Sequence, residues 1–127
     1  MADPSFALQV AIFERMEAEL SCPFFDSVPM NTPFPYVTIG TEISSNDDTI
    51  NARRDIRLFY LTVWSDFKGQ EQVKLLMAEI DTALHERPLP LSTGRVVSVR
   101  VTRKQAIPEP DGITYQGSVT LRILTTH

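Results

Sequence analysis

Histidine and cysteine are almost missing from this chain of 127 residues, which holds two of the first and one of the second. The lone Cys22 excludes an internal disulfide framework and a cysteine-based zinc site, and it fits a reducing compartment. His85 and His127, scattered along the chain with Cys22, do not make a zinc centre. Glycine is also scarce, five residues against nine prolines, so the turns should be stiff and flexible linkers few. No run approaches the ~18 apolar residues that a spanning helix needs. Met1-Ala2-Asp3-Pro4 lacks the basic segment and apolar run of a signal peptide, so cytoplasmic synthesis is expected. There is no excess of positive charge either. A net charge of −4 argues against binding to nucleic acid driven by counterion release, though not against DNA passing nearby without sticking. A Gly-x-Ser-x-Gly elbow, a phosphate-cradling glycine loop and a dinucleotide fingerprint are all lacking.

What is present reads as one globular domain over residues 1–127. A hydrophobic fraction of 43% with 22% charged residues is ordinary for a folded chain, and this length supports one real core. Asp3 as N-cap and Pro4 at the first helical position open a helix running to about Leu20. Phe6, Val10, Phe13, Met16 or Glu17, and Leu20 set its apolar face, with Leu8 and Ile12 widening it. A short strand is expected at Phe25–Val28 and another from Pro35 to about Glu42, where Tyr36-Val37-Thr38-Ile39 favours extended backbone. Glu42 to Arg53 reads as a polar loop.

Arg54 to Ser65 is the clearest strand. Ile56, Leu58, Tyr60, Thr62 and Trp64 share one face; Arg57, Phe59, Leu61 and Val63 share the other, which begins charged and so should start near solvent. A second helix spans about Gln70 to Arg87 on the stripe Val73, Leu76, Met77, Ile80, Ala83 and Leu84, with Pro88 and Pro90 ending it. Arg95 to Lys104 alternates, with Val97, Val99 and Val101 on one face and Ser98, Arg100 and Thr102 on the other. Pro108-Glu109-Pro110-Asp111-Gly112 turns the chain into a last strand, where Tyr115, Gly117, Val119, Leu121 and Ile123 alternate with Gln116, Ser118, Thr120 and Arg122, to make an antiparallel hairpin. The expected class is α+β: a mainly antiparallel sheet with two amphipathic helices packed on one face.

Each polar cluster has a plain structural reading beside any chemical one. His85 in a last helical turn is a cation at the negative end of a helix dipole, and His127 is the last residue and free to move. Asp47-Asp48 with Glu42 lacks the spaced ligands of a calcium loop. Glu14, Glu17, Glu19, Glu71, Glu79, Asp81 and Glu86 read as wet helix faces, Cys22 as a small core filler and Trp64 as core. Arg53, Arg54 and Arg57, with Arg95, Arg100, Arg103 and Lys104, form a basic strip opposite acidic helices; it reads as a solvated sheet face or as a surface for a partner of opposite sign.

In order along the chain stand Ala7-Leu8-Gln9-Val10-Ala11-Ile12, Phe25-Asp26-Ser27-Val28-Pro29, Pro33-Phe34-Pro35-Tyr36-Val37-Thr38-Ile39-Gly40, Leu61-Thr62-Val63-Trp64-Ser65, Ala83-Leu84-His85 and Pro110-Asp111-Gly112. With these the chain resembles the small phage tail-completion proteins, or tail terminators, of siphophages, prophages and gene transfer agents. The resemblance implies a virion protein made in the host cytoplasm. It also implies assembly as a ring, usually of six copies, at the head-proximal end of the tail tube. It implies no catalytic, metal or cofactor site and no membrane. The implied partners are the chain itself, the major tail-tube protein and the head–tail connector or neck protein, with DNA passing through the lumen unbound. The matched residues are scaffold types, so the resemblance carries over no contact residue. The polar loop supplies the candidate contacts with a neighbouring subunit or ring: Glu42, Ser44, Asn46, Asp47, Asp48, Arg53 and Arg54. The half-apolar strand face of Phe59, Leu61 and Val63 is a second candidate if the helices cover the other side. Another neck or tail-tube component on a related fold is the nearest alternative. A small enzyme or ligand-binding domain requires a pocket of convergent polar groups, which no spacing here predicts. A monomeric regulator or chaperone stands third.

Overall fold

The computed structural model describes residues 3–51 and 53–127. Along the chain stand α1 (Ser5–Glu19), β1 (Phe24–Phe25), β2 (Tyr36–Asn46), β3 (Arg54–Ser65), α2 (Glu71–Leu84), β4 (Arg95–Pro108) and β5 (Tyr115–Thr126). The five strands make one sheet in the order β1-β2-β3-β5-β4, antiparallel throughout except for the two-residue pairing of β1 with β2. This is the α+β class expected, with both helices on one side of the sheet.

The core lies between that side and the helices. From β3 it takes Phe59, Leu61 and Val63; from β5 it takes Val119, Leu121 and Ile123. The α2 stripe enters as its spacing requires, Val73, Leu76, Met77, Ile80, Ala83 and Leu84 all being buried. Helix and sheet meet most closely at Gly117, where a Cβ would stand 2.6 Å from Val73 Cγ1 and 3.1 Å from Met77 Sδ. Only a glycine lets α2 come so near β5.

Four expectations are corrected. On α1 the buried positions are Ala7, Leu8, Ile12 and Met16, whereas Phe6 is 75% and Val10 39% exposed. The helix carries two apolar stripes of equal spacing, and the one turned to the sheet, Leu8, Ile12 and Met16, is the one buried. On β3 it is the face of Phe59, Leu61 and Val63 that the helices cover, so that face is core and no contact surface. β2 runs four residues past Glu42: one extra residue between Ile39 and Glu42 bulges the strand and lets pairing resume with β3. Two further irregularities, between Val96 and Ser98 and between Val101 and Arg103, break the alternation of β4. Val99 therefore faces the core and Val97 is half exposed, while Arg100 and Arg103, not Thr102, fall in step on the opposite side.

α2 stops at Leu84, ahead of Pro88, because His85 leaves the helix to meet the sheet. Its Nδ1 accepts the Val101 N–H at 2.9 Å, and the Glu86 N–H donates to Val99 O at 2.7 Å. These bonds cover part of the free edge of β4. His85 thus serves as a hydrogen-bond partner of the sheet edge.

Candidate functional site

Arg57 sits where the helix side of the sheet meets the start of α1, and its side chain is 1% exposed. All five of its N–H donors are engaged. Nε donates to Thr125 Oγ1 at 3.1 Å; Nη1 donates to Glu42 Oε2 at 3.1 Å and Ser44 Oγ at 3.0 Å. Nη2 donates to Asp3 Oδ1 at 2.7 Å and Asp55 Oδ2 at 3.1 Å. Ser5 Oγ donates to Glu42 as well, and the Ser5 N–H donates to Asp3 Oδ1 at 2.9 Å. That bond, followed by the one from Arg57, holds the Asp3 carboxyl below its ordinary 3.8 against the upward push of burial. His127 is not free: its N–H donates to Arg53 O at 3.1 Å, and its ring is 7% exposed with Nδ1 3.9 Å from Asp55 Oδ2. The charged start of β3, expected near solvent, is thus a buried hub that ties α1, β2, β3 and β5 together.

The candidate contact residues divide on this geometry. Glu42 and Ser44 lie in β2 and turn inward to Arg57, so they are hub residues and not loop tips. Asn46, Asp47, Asp48, Arg53 and Arg54 frame a tight turn between β2 and β3. The Asp48 N–H donates to Asn46 Oδ1 at 3.0 Å, the Arg54 N–H to Asp48 Oδ1 at 2.9 Å, and Arg54 Nη2 pairs with Asp47 Oδ2 at 3.2 Å. The bonds from Asn46 and then Arg54 lower the Asp48 carboxyl below its ordinary value. Ile50 stands fully exposed at the tip of the turn.

The other side of the sheet has no cover among the described residues. At one end Phe34 stacks on Tyr36 at 5.3 Å, Phe25 meets Tyr36 edge-on at 6.0 Å, and Trp64 Nε1 reaches Thr38 Oγ1 at 3.4 Å. Trp64 belongs to this face and not to the core. In the middle Ile43 pairs with Leu58, and Ile56 with Leu124, across neighbouring strands. At the far side stand arginines. Lys104 and Arg57 are not among them: Lys104 turns to the helices and pairs with Asp81 at 2.7 Å. The basic strip read in the sequence therefore loses Arg57 and Lys104, and Arg53 lies in the β2–β3 connection, outside the strands. The sequence sign of the whole face was present in β3, where Ile56, Leu58, Tyr60 and Trp64 alternate as cleanly as the core residues, but alternation alone does not say which side the helices take.

Among the described residues no cluster of His, Cys, Asp and Glu is arranged to hold a metal ion. Cys22 packs against the core, and burial, then Glu79, pushes its thiol up to about 11. It is a filler and no nucleophile. No helix among the described residues is long and apolar enough to cross a membrane. What the fold does offer is a wide free sheet face, aromatic at one end and cationic at the other, whose chemistry is contact. That defines an assembly subunit.

The chain belongs to the tail completion protein gp17 family, whose model matches residues 14–126. It is a phage tail structural protein and a component of the virion, from a family of structural proteins and not of enzymes. Its fold is similar to a chain in the solved structure titled "Virion of native gene transfer agent (GTA) particle", with a TM-score of 0.88, 22% identity and 100% of each chain covered. A search of curated proteins gave no match.

Proposed function

We propose that copies of this chain close into a ring of six at the head-proximal end of the tail tube. The ring ends tube polymerisation and presents the surface that joins the tail to the neck. The observation that carries this reading is the uncovered sheet face. Ile56, Leu58, Tyr60, Trp64 and Leu124 stay half-buried there with Ile43 47% exposed, and apolar side chains gathered on one open face mark a place where another protein sits; family membership says that the neighbours are virion proteins. Subunits that meet through two different patches close by rotation into a ring. The major tail-tube protein lies below it and the connector above. DNA passes through the lumen without specific binding, in keeping with the net charge of −4. The turn of Asn46, Asp47, Asp48, Arg53 and Arg54, with Ile50 at its tip, reaches the adjoining ring. The test is particle assembly in a host lacking this chain. Tails of uncontrolled length that do not join heads are the expected result; tails of normal length joined to heads would overturn the role.

A further inference from the structure

The free sheet face carries five charges, all of them arginines: Arg54, Arg95, Arg100, Arg103 and Arg122. No strand position on that side holds a carboxylate or a lysine. Among the described residues two of the five find acids, both at the rim, Arg54 with Asp47 at 3.2 Å and Arg100 with Glu86 at 3.9 Å. Arg122 lies directly across from Arg100 in the β4–β5 ladder, with Arg103 one step along. Like charges directly opposite one another on a sheet repel. Among the described residues Arg103 and Arg122 therefore have no carboxylate to answer them, beside Leu58, Leu124 and Ile56. Aromatic residues and arginine without lysine, aspartate or glutamate are the composition of an interface core and not of a wetted surface.

The opposite surface of the molecule is the complement. Phe6, Val10, Glu14 and Glu17 make an exposed stripe along α1; Glu71, Leu75 and Ala78 make one along α2. Phe6 is 75% and Leu75 59% exposed. Glu14, Glu17 and Glu71 form no ion pair with any described residue, and the one unpaired cation on the two helices is Lys74. Each surface is apolar, each carries unanswered charge, and the signs are opposite.

We infer that the arginine-bearing sheet face of one copy seats on the acidic, apolar outer face of α1 and α2 of the next copy, and that this is the contact which repeats around the ring. The inference rests on the ring reading above and names its two surfaces. Such a contact is head-to-tail, so each copy uses both patches and closure is by rotation. The occupant is a second copy and not DNA, because a face so rich in Ile, Leu and Tyr gains nothing from a phosphate backbone. The arginines also set the register of one copy on the next.

The test is a charge exchange. A sheet variant, Arg103→Glu with Arg122→Glu, and a helix variant, Glu14→Arg, Glu17→Arg and Glu71→Arg, are compared with the parent by light scattering, alone and mixed in equal amounts. Where a reversal fails to fold, by circular dichroism, Arg122→Gln and Glu71→Gln replace it. Each variant alone should need about 100-fold more protein to assemble, since like charges now face each other. The mixture should recover the parent's mass, because every junction in an alternating ring again pairs opposite charges. A parent ring with either variant assembling normally would overturn these surfaces and leave the ring standing. So would two defective variants whose mixture stays apart. If the sheet variant keeps its mass but loses retention of a short DNA duplex, the arginines belong to phosphate and the inference is wrong. A parent chain that never assembles would remove the ring itself, and the surfaces with it.

Discussion

Replacing Arg57 by methionine keeps much of the side-chain volume and removes the charge at the centre of the hub. Asp55, 12% exposed, and Glu42, 22% exposed, then lose their guanidinium, while Asp3 at 65% exposure stays hydrated. Removing one partner of a buried ion pair costs about 3–5 kcal/mol, because the other charge is left buried alone. Two hydroxyls, from Ser5 and Ser44, still donate to Glu42, which puts the loss at the low end, about 3 kcal/mol. For a chain of this length that lowers the melting temperature by about 11 °C. Thermal and urea unfolding followed by circular dichroism would measure it. A fall of less than about 3 °C would refute a buried, fully engaged guanidinium. Asp3→Asn, which touches the exposed end of the same hub, should cost no more than about 1 kcal/mol. Because Asp3 titrates below its ordinary 3.8, its share of the stability is complete above that value and is lost as the pH falls through the lowered one.

Three further outcomes follow from the packing. Gly117→Val pushes a side chain into Val73 and Met77 and should cost about 1–3 kcal/mol of stability by urea unfolding, whereas an unchanged midpoint would mean that α2 does not lie against β5 there. With its thiol near 11 against an ordinary 9.0, Cys22 should react with iodoacetamide at pH 8 about 100-fold more slowly in the native chain than in urea, and equal rates would contradict its burial. The same shift makes folding less favourable as the pH rises above about 9, where only the unfolded thiol ionises. Asp111 accepts the N–H groups of Thr114 and Ile113 and the Thr114 hydroxyl, so its carboxyl should titrate below 3.8 by carbon NMR. The turn is held above that range and loosens as the pH falls through the lowered value; titration at or above 3.8 would show that these bonds do not form in solution.

The elements whose residues obey one clean period were legible before any coordinates. β3 runs over Arg54–Ser65 as read, and α2 buries each residue of its stripe. β5 likewise turns Gly117, Val119, Leu121 and Ile123 inward. Where two answers satisfied the same local rule, the sequence had no means to choose. α1 holds Phe6 and Val10 on one stripe and Leu8, Ile12 and Met16 on another, and only the position of the sheet decides between them. The bulges in β2 and β4 are one-residue insertions that shift every later side chain to the other face. That is why Val97 was expected on the face of Val99 and Thr102 beside Arg100.

Arg57 was hidden for a different reason. Its partners Asp3, Glu42 and Thr125 lie 54, 15 and 68 residues away, and no local pattern announces a charge that such distant groups will bury. Of the candidate contact residues, Glu42 and Ser44 looked like loop because polar side chains usually are. Their polarity instead serves the guanidinium. The free sheet face was half legible: its residues were read correctly as one side of β3 and β5, but which side the helices leave open is a property of the whole fold.

Self-assembly is tested most directly by the mass of the purified chain, measured by light scattering across a wide range of concentration. Six copies of a 14.3 kDa chain predict one closed species of about 86 kDa that grows no further. A particle that stays at 14.3 kDa at every concentration, or aggregates without a fixed size, would contradict it.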